Sequence, residues 1–591
     1  MAVVDSDRQL LDPGINGCRS GADTHGQARY RLNGDSTQEL ATGPIADAPL
    51  FDLTIVETRS LLTAGLRDAE HYAAKLRHHT PKAALAATRD ETENLTVSTQ
   101  EHGSVRRLLD EPVWESRIFT GEWVRGSADD HPVVEPATGK QLSTIGMATA
   151  DDVTRAADRA ATAQADWAAR PYTERAAVLR RAGTLFEQHA NEIAEWVIRE
   201  AGSIPTKAHI ETHTAAEECY NAAALAAHPY GEVLRSEQPR LSFSRRIPVG
   251  TVGVIAPFNF PIILSIRAVA PALALGNAVV LKPDPRTAIC GGAVLARIFE
   301  EAGLPAGLLS VLPGGADAGE AVVVHRTVRV IAFTGSTRAG RAVGELAGRH
   351  LKRAHLELGG NNALIVLDDV DLEKAVAVGA FGSFMHQGQI CMAAGRHLVH
   401  ESIAADYTAL LAEHADRLPV GDPFTGDVAL GPIIDAKQRD HIHTLVTASI
   451  DAGATLAAGG TYDDLFYRPT VLAQTPLTAA AFQDEVFGPV APVASFSSIE
   501  EAVTIANSSE YGLSLSILTA DAMKGLELAQ RIPAGLVHVN DQTVGDEAVV
   551  PFGGVGSSGN GGRVGGISAN LDAFTETQWV TAQSTMPAYP F

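Results

Sequence analysis

The stretch VRVIAFTGSTRAG, residues 328–340, decides the expected fold, because an apolar run leads through a glycine-containing turn into a helix-like segment. Similar apolar runs are GTVGVIA, AVVLKP, LLSVLPG and NALIVL, and helix-like segments such as GGAVLARIFEEAG separate them. Continuous apolar runs are typical of strands buried on both faces. Their alternation with helices predicts an α/β fold with a doubly wound parallel sheet, which binds ligands at the carboxyl ends of its strands.

The turn that follows the apolar run is a candidate phosphate site. Gly335, Ser336 and Gly340 open the next helix, where glycines let the backbone approach a pyrophosphate. Lys282 ends the apolar run AVVLKP, where its ammonium group would face a ligand over the sheet edge. A tight turn that needs glycine and a surface lysine would explain the same residues without a ligand, so both interpretations stay open here.

Composition argues against several classes of protein. A chain of 591 residues predicts two or three domains. Its formal net charge of −23 argues against nucleic acid as a partner. The 4 cysteines are far apart and lack metal-site spacing, which favours a reducing compartment, here expected to be the cytoplasm, and no bound metal.

One uncharged stretch, IPVGTVGVIAPFNFPIILSI at residues 247–266, is long enough to cross a bilayer. It contains three prolines and two glycines, and Arg267 follows it directly. Such a broken run predicts a buried strand, a turn and the start of a buried helix. We therefore expect no membrane partner.

Two side chains carry candidate chemistry. Cys391 lies between His386 and His397, whose irregular spacing gives a metal site weak support and leaves a nucleophile or an inert thiol. A loop leading into a helix would lower the pKa of the thiol. Glu357 is flanked by leucines, and desolvation would raise the pKa of its carboxyl group toward the range of a general base. With a dinucleotide site, these residues suit thioester chemistry coupled to hydride transfer.

Seven motifs in series resemble the aldehyde dehydrogenase superfamily over residues 112–591: PFNFP, LKPD, FTGSTRAG, LELGG, GQIC, EVFGPV and PFGGVGSSG. Longer segments, among them FMHQGQICMAAGRHLVHESI and LKPDPRTAICGG, are similar to the NAD-linked benzaldehyde dehydrogenases. The resemblance implies an aldehyde-dehydrogenase-like fold, in which an α/β catalytic domain and a small β oligomerisation arm accompany the nucleotide domain. It also implies oxidation of an aldehyde, most closely an aromatic one, to the carboxylic acid.

The resemblance further implies residue roles. Cys391 would attack the aldehyde carbon, while the Asn259 amide and the Cys391 backbone N–H hold the oxyanion, typically worth about 3 kcal/mol per donor. Glu357 would then activate the water that hydrolyses the thioester. The implied cofactor contacts are Lys282, Gly335, Ser336, Gly340, Glu485, Phe487 and Phe258, the last replacing the family's usual tryptophan. The implied substrate-tunnel residues are Phe260, Met392 and Phe552.

The chain departs from the family pattern beside the cofactor site. Pro285 stands where NAD-preferring relatives often carry a glutamate that repels a 2′-phosphate, and the adjacent Arg286 could attract one. We expect NAD and leave NADP open.

Other activities share much of this pattern. Semialdehyde and aliphatic aldehyde dehydrogenases would use the same mechanism with a different tunnel. A relative that transfers the acyl group to coenzyme A usually lacks a glutamate at the position of Glu357. A non-catalytic relative would be expected to have lost Cys391 or Glu357.

The implied organisation has a nucleotide domain, a catalytic domain, an arm and an N-terminal extension. The extension at residues 1–111, partly disordered or helical, carries one amphipathic segment at residues 60–76. The expected boundaries are 112–227 and 248–357 for the dinucleotide-binding domain, 358–570 for the catalytic domain, and 228–247 with 571–591 for the oligomerisation arm and C-terminal tail. An exposed arm of this kind predicts a homodimer or homotetramer.

Overall fold

The computed structural model describes residues 107–591, so the amphipathic segment predicted at residues 60–76 lies outside the described residues. A seven-stranded sheet forms the first layer of the fold. Its strands, in spatial order, are Arg353–Glu357, Val328–Thr334, Thr251–Ile255, Ala278–Lys282, Leu309–Val311, Ile118–Phe119 and Trp123–Val124. The first five are mutually parallel and the last two are antiparallel additions at one edge.

The order of the parallel strands locates a ligand crevice. Counted along the chain, they lie side by side as 3-2-1-4-5, the order of dinucleotide-binding Rossmann folds. The direction of winding reverses between Thr251–Ile255 and Val328–Thr334, and ligands bind at such a reversal, beyond the carboxyl ends of the strands. The prediction of a doubly wound parallel sheet is confirmed, with Gly335 directly after a strand's carboxyl end.

A second seven-stranded sheet follows in the chain. Its strands, in spatial order, are Thr455–Ala458, Thr470–Ala473, Val490–Phe496, Ala394–His400, Asn362–Val366, Ser514–Leu518 and Leu536–Val539. All neighbouring pairs are parallel except the first, which is antiparallel. Only residues 358–361 join the last parallel strand of the first sheet to Asn362–Val366, so Glu357 ends one sheet just before the other begins.

A small antiparallel sheet contains the strands expected in the arm. Leu241–Pro248 pairs with Gly231–Val233 on one side and with Thr575–Ala582 on the other. Trp579 and Val233 on its outer strands are 62% and 84% exposed, so this sheet keeps apolar side chains at the surface. Three further pairs of strands are Ala128–Val134 with Gln141–Met147, Tyr462–Asp463 with Phe466–Tyr467, and Tyr511–Gly512 with Val555–Gly556.

Helices cover the two large sheets. The α-helices are Glu111–Trp114, Ala150–Ala169, Tyr172–Gln188, Ala190–Ala201, Pro205–Leu225, Pro261–Ala274, Val294–Glu301, Ala316–Val324, Thr337–Arg349, Leu372–Phe384, Glu401–Arg417, Ala436–Asp451, Ala480–Gln483, Ile499–Ala506, Ala522–Ala529 and Ile567–Phe574. Short 3₁₀ segments lie at Pro285–Thr287 and Met385–Gly388, and a π segment lies at Ile289–Ala293. His189 ends the helix Tyr172–Gln188 and is also the residue before the helix Ala190–Ala201.

The uncharged stretch at residues 247–266 has the structure that its prolines predict. It contains the fully buried strand Thr251–Ile255, a loop, and the start of the helix Pro261–Ala274. Across residues 107–591, no helix combines the length and the apolar character that a membrane span needs.

The first described residues already pack onto the body of the protein. Leu108 and Leu109 are buried, and their backbone N–H groups donate to the Glu192 carboxylate at 2.9 and 3.0 Å. These two residues, assigned to the extension from the sequence, therefore contribute to the core of residues 107–591.

Candidate active site

A short segment of unusual backbone conformation precedes the candidate nucleophile. His386, Gln387 and Gly388 have φ values of 47°, 56° and 65°, all in the left-handed region. A Cβ atom on Gly388 would lie 2.1 Å from the Gly488 carbonyl oxygen, so this position requires glycine. Left-handed conformations at non-glycine residues are costly and concentrate at functional sites.

Cys391 follows this segment in a turn, before the strand Ala394–His400. The prediction of a helix start at Cys391 is wrong, and so is the prediction of a lowered thiol pKa. Burial and the nearby carboxylates of Glu485, Glu357 and Asp546 raise the pKa of the thiol, while its own backbone N–H partly opposes them. The side chain is nevertheless partly exposed, so it is accessible to a small molecule.

An apolar cluster lies beside this thiol. Ile390, Met392, Leu513 and Phe552 form a buried cluster, and Phe260 and Cys391 pack against it. The three residues expected to line the substrate tunnel thus lie together with the cysteine. Rings and aliphatic chains of this kind make a surface suited to a flat apolar ligand.

Asn259 is held firmly beside the cysteine loop. The Asn259 Nδ2 donates to the Gln389 carbonyl at 2.9 Å, and Lys207 Nζ donates to the backbone carbonyl of Asn259 at 2.9 Å. Lys207 also pairs with Glu211 at 2.6 Å, and Glu211 accepts from the Ile262 backbone N–H at 2.8 Å. One Nδ2 hydrogen remains available to an oxyanion, since an amide nitrogen has two donors.

Lys207 and Glu211 are support residues that the sequence analysis missed. Both are fully buried, although a lysine and a glutamate four residues apart on a helix usually form a surface pair. The helix Pro205–Leu225 has a weak amphipathic pattern with alanine on several sides, which was the only sign that its polar residues lie inside.

The Glu357 carboxylate lies in an environment that favours its neutral form. The residue is 5% exposed, and neither carboxylate oxygen has a hydrogen-bond partner among residues 107–591. Burial raises the pKa of this carboxyl group well above its usual range, and the charges of Arg563 and Arg267 oppose the shift. The predicted direction is confirmed.

Glu485 comes close to the catalytic centre because of two glycines. The Gly360 backbone N–H donates to Glu485 Oε1 at 3.0 Å, and a Cβ on Gly359 would lie 2.1 Å from Oε2. A Cβ on Gly360 would lie 2.4 Å from the Cys391 carbonyl oxygen. Burial raises the pKa of Glu485 to about 7. The glycine pair in LELGG therefore allows the carboxylate and the cysteine loop to meet.

Two aromatic rings lie next to this glutamate. Phe487 has a left-handed φ of 50°, and its ring meets that of Phe258 edge-on, with centroids 5.8 Å apart. Gln438, which the sequence analysis missed, donates to the Phe487 carbonyl at 3.1 Å and supports this conformation.

The predicted phosphate turn is present, and one of its glycines is buried. Ser336 is exposed and caps the helix Thr337–Arg349, and Gly335 is partly exposed beside it. Gly340 is buried, and a Cβ there would lie 2.1 Å from Leu358 Cδ2. The absence of a side chain at Gly340 makes room for Leu358, and the expectation that Gly340 lets a ligand approach stays a prediction.

The Lys282 ammonium and the Arg286 guanidinium differ in the number of their partners. The Lys282 ammonium has one contact among the described residues, a long hydrogen bond of 3.3 Å to the Pro283 carbonyl. Arg286 pairs with Asp284 at 2.9 Å and with Asp435 at 2.7 Å, and its guanidinium lies 4.1 Å from the centroid of Phe258. The lysine is free to bind a ligand, whereas two carboxylates already neutralise the arginine.

Comparison with known proteins agrees with this geometry. Residues 123–580 match the model of the aldehyde dehydrogenase family. A vanillin dehydrogenase of an Amycolatopsis species is 65% identical over 82% of this chain and all of its own length. The NAD(+) benzaldehyde dehydrogenase of Pseudomonas putida is 49% identical with the same coverage.

Solved structures share the fold. A salicylaldehyde dehydrogenase of Pseudomonas putida, crystallised with salicylaldehyde, has a TM-score of 0.77 and 35% identity over 80% of this chain and 99% of its own. A betaine aldehyde dehydrogenase of Staphylococcus aureus in complex with NAD+ has a TM-score of 0.78 and 29% identity over 82% of this chain and 98% of its own. The two-sheet architecture, the cysteine turn and the family match over most of the chain lead to one conclusion: this chain belongs to the aldehyde dehydrogenase family.

Proposed function

We propose that this protein oxidises an aromatic aldehyde to the carboxylic acid, with NAD as the electron acceptor. The observation that carries the proposal is the position of Cys391 against a buried apolar cluster that includes Phe552 and, at its border, Phe260. Relatives named for vanillin and benzaldehyde, at 65% and 49% identity, support the aromatic class.

The first chemical step belongs to Cys391. The partly exposed thiol loses its proton to solvent, and the thiolate attacks the carbonyl carbon, forming a C–S bond while the carbonyl π electrons move to oxygen. The Asn259 Nδ2 and the Cys391 backbone N–H donate to that oxygen, each typically worth about 3 kcal/mol in the transition state. The bonds that Gln389 and Lys207 make to Asn259 keep its amide in place for this task.

The residues at the crevice fit a dinucleotide. Ser336 presents its hydroxyl and a helix N-terminus to a pyrophosphate, and Lys282 offers unused donors to a ribose. Glu485 and Phe487 lie at the cysteine end of the crevice, where they would hold the nicotinamide ribose. NAD bound there would supply the hydride acceptor that oxidation of the Cys391 adduct to a thioester requires.

Glu357 completes the turnover. As a carboxylate it takes a proton from a water molecule, whose oxygen attacks the thioester carbon. Collapse of that adduct breaks the C–S bond, whose electron pair stays on the Cys391 sulfur as a thiolate, and releases the carboxylic acid. A raised pKa makes the carboxylate a stronger base than an exposed glutamate, and the burial that raises it supports Glu357 in the role.

The charges around Arg286 favour NAD over NADP. A 2′-phosphate would need an unpaired cation, and the Arg286 guanidinium already binds Asp284 and Asp435.

We also propose a homodimer or homotetramer in the cytoplasm. The exposed apolar side chains of the three-stranded sheet, such as Trp579, support an intersubunit contact. Light scattering of the purified protein would report its mass, and Trp579→Glu should shift it toward the monomer. An unchanged mass in that variant would place the contact elsewhere.

The proposal is tested by the absorbance of reduced nicotinamide. Benzaldehyde, vanillin, hexanal and succinic semialdehyde are each supplied with NAD and with NADP. We expect benzaldehyde or vanillin with NAD to give the highest kcat/KM. A preference for hexanal or the semialdehyde would keep the mechanism and replace the substrate class. Folded protein that reduces neither cofactor with any aldehyde would overturn the proposal.

A further inference from the structure

A small cavity lies beside Glu357, and Phe552 of the apolar cluster at the thiol forms part of its wall. Arg267, His355 and Thr334 line it together with Glu357, and its other walls are apolar. Its volume is about 20 Å³, room for one water molecule and far too little for an aldehyde. The helix Pro261–Ala274 and two strands of the first sheet supply its polar lining.

Buried polar atoms without partners are concentrated at this cavity. Both Glu357 oxygens, both His355 ring nitrogens and Arg267 Nη2 lack a hydrogen-bond partner of good geometry within residues 107–591, although the Gly554 N–H approaches Glu357 and the Ala573 carbonyl approaches His355. The three side chains are 5%, 7% and 3% exposed. Leaving such groups unpaired is costly, and buried water is the usual partner that satisfies them.

The chemistry of the three groups is complementary. Arg267 donates through Nε to Glu218 at 2.9 Å and through Nη1 to Asp546 at 2.7 Å. These two bonds fix its guanidinium and leave Nη2 available as a donor. Burial and the charge of Arg353 lower the pKa of His355 to about 4, so the ring is neutral at pH 7. A neutral imidazole offers one donor and one acceptor.

We propose that this cavity holds one ordered water molecule, which accepts a hydrogen bond from Arg267 Nη2 and donates to Glu357 and His355. Arg267 and His355 are then positioning residues for the base, and the proposal rests on the role proposed above for Glu357. Hydrogen bonds to a carboxylate favour its ionised form. The water therefore helps to set the pH above which Glu357 can hydrolyse the thioester.

Other charges around Glu357 act in the same balance. Arg563 and Arg267 favour its ionised form, whereas Asp546 and burial favour the neutral form. The Cys391 thiol is the remaining titratable neighbour, and it carries the acyl group during hydrolysis. Changing His355 leaves all of these charges in place, so its effect reports on the water.

The experiment isolates thioester hydrolysis from cofactor chemistry. p-Nitrophenyl benzoate acylates Cys391 with release of p-nitrophenol, and the enzyme then hydrolyses the benzoyl thioester without a dinucleotide. The burst measures acylation, and the slower phase, followed from pH 5 to 10, measures the step that Glu357 catalyses. His355→Phe replaces the imidazole with an apolar ring. In this variant we expect the rising limb of the plot of hydrolysis rate against pH to move to higher pH by about one to two pH units.

Two variants serve as controls for His355→Phe. His355→Gln keeps a donor and an acceptor and should retain the wild-type limb. His325→Phe changes a partly buried histidine before the opposite end of the strand Val328–Thr334 and should leave the limb unchanged. A limb in His355→Phe that matches the wild type would overturn the proposal.

A crystal structure of the wild-type protein provides a measurement that needs no variant. Water density within hydrogen-bond distance of Glu357, Arg267 and His355 supports the proposal, and a cavity without density overturns it. Glu357→Gln separates this question from the proposed function. If that variant hydrolyses the thioester at the wild-type rate, the role of Glu357 fails; if it stalls while His355→Phe behaves as wild type, only the cavity proposal fails.

Discussion

Buried carboxylates occur in two regions next to Cys391, and the two regions treat them differently. Beneath Asn259, Glu211 accepts hydrogen bonds from Lys207 and from the Ile262 backbone. Across the crevice, Glu357 has no hydrogen-bond partner among the described residues. Equal burial therefore produces a rigid support in one region and a proton acceptor in the other, because the number of partners decides how much the ionised form costs.

The strongest test of this contrast removes the nucleophile. Cys391→Ala should lower both aldehyde oxidation and p-nitrophenyl benzoate hydrolysis by more than about a thousandfold, because no other group there can form the thioester. NAD binding, measured by calorimetry, should remain close to wild type. Oxidation that persists in this variant would mean that the chemistry occurs elsewhere.

Removing the unpartnered base should separate the two halves of the reaction. Glu357→Gln should give a burst of reduced nicotinamide and then a steady rate lower by about a hundred- to ten-thousandfold, since general-base assistance is worth that much. Stopped-flow absorbance resolves the two phases. A full steady-state rate would contradict the assignment.

The same variant reports on the cost of burying this carboxyl group. Burial raises its pKa in the folded state, so the folded protein holds that proton more tightly than the unfolded chain does. The free energy of unfolding then falls as pH rises above the unfolded value of about 4.3. We expect Glu357→Gln to melt at a higher temperature than wild type at pH 8, with a smaller difference at pH 5.

Breaking the buried pair of Lys207 and Glu211 should lower the stability of the fold more than it affects the chemical steps. Lys207→Met leaves the Glu211 carboxylate buried without its cation, and we expect a loss of about 3–5 kcal/mol in the free energy of unfolding, measured in urea. The exposed pair of Arg349 with Glu345 provides a matched control at the same helical spacing. Arg349→Met should cost less than about 1 kcal/mol. Equal losses would remove the distinction between the regions.

The smallest expected effect concerns cofactor preference. Asp435→Asn removes one of the two carboxylates on Arg286, which frees part of the guanidinium for a phosphate. We expect the ratio of NADP to NAD dissociation constants to fall by about five- to tenfold, as measured by calorimetry. Asp440→Asn, at an exposed carboxylate nearby in the chain, is the control. An unchanged ratio would mean that Arg286 does not face the 2′ position.

The sequence predicted the parallel sheet because apolar runs carry that information locally. The family resemblance, and not a local pattern, implied the strands of the arm and grouped Phe260, Met392 and Phe552, which lie in one apolar cluster. The prediction from sequence failed at Cys391, where an expected helix start is a turn, because the chain before it takes a left-handed conformation and packs against Gly488, a residue far along the chain. Lys207, Glu211 and Gln438 were missed for the same reason, since their importance arises from partners that local patterns do not reveal.

The link at residues 358–361 constrains how this protein can vary. It is the covalent joint between the sheet that ends in Glu357 and the sheet that carries Cys391, and its two glycines touch Glu485 and the cysteine loop. An inserted or deleted residue here would change the positions of Glu357, Cys391 and Glu485 relative to one another at the same time. Length is therefore fixed in this link more strictly than in any surface loop, whereas the pocket walls can be exchanged singly. Single substitutions in the apolar cluster at the thiol can therefore change the substrate. A change of mechanism would require a change in the link itself.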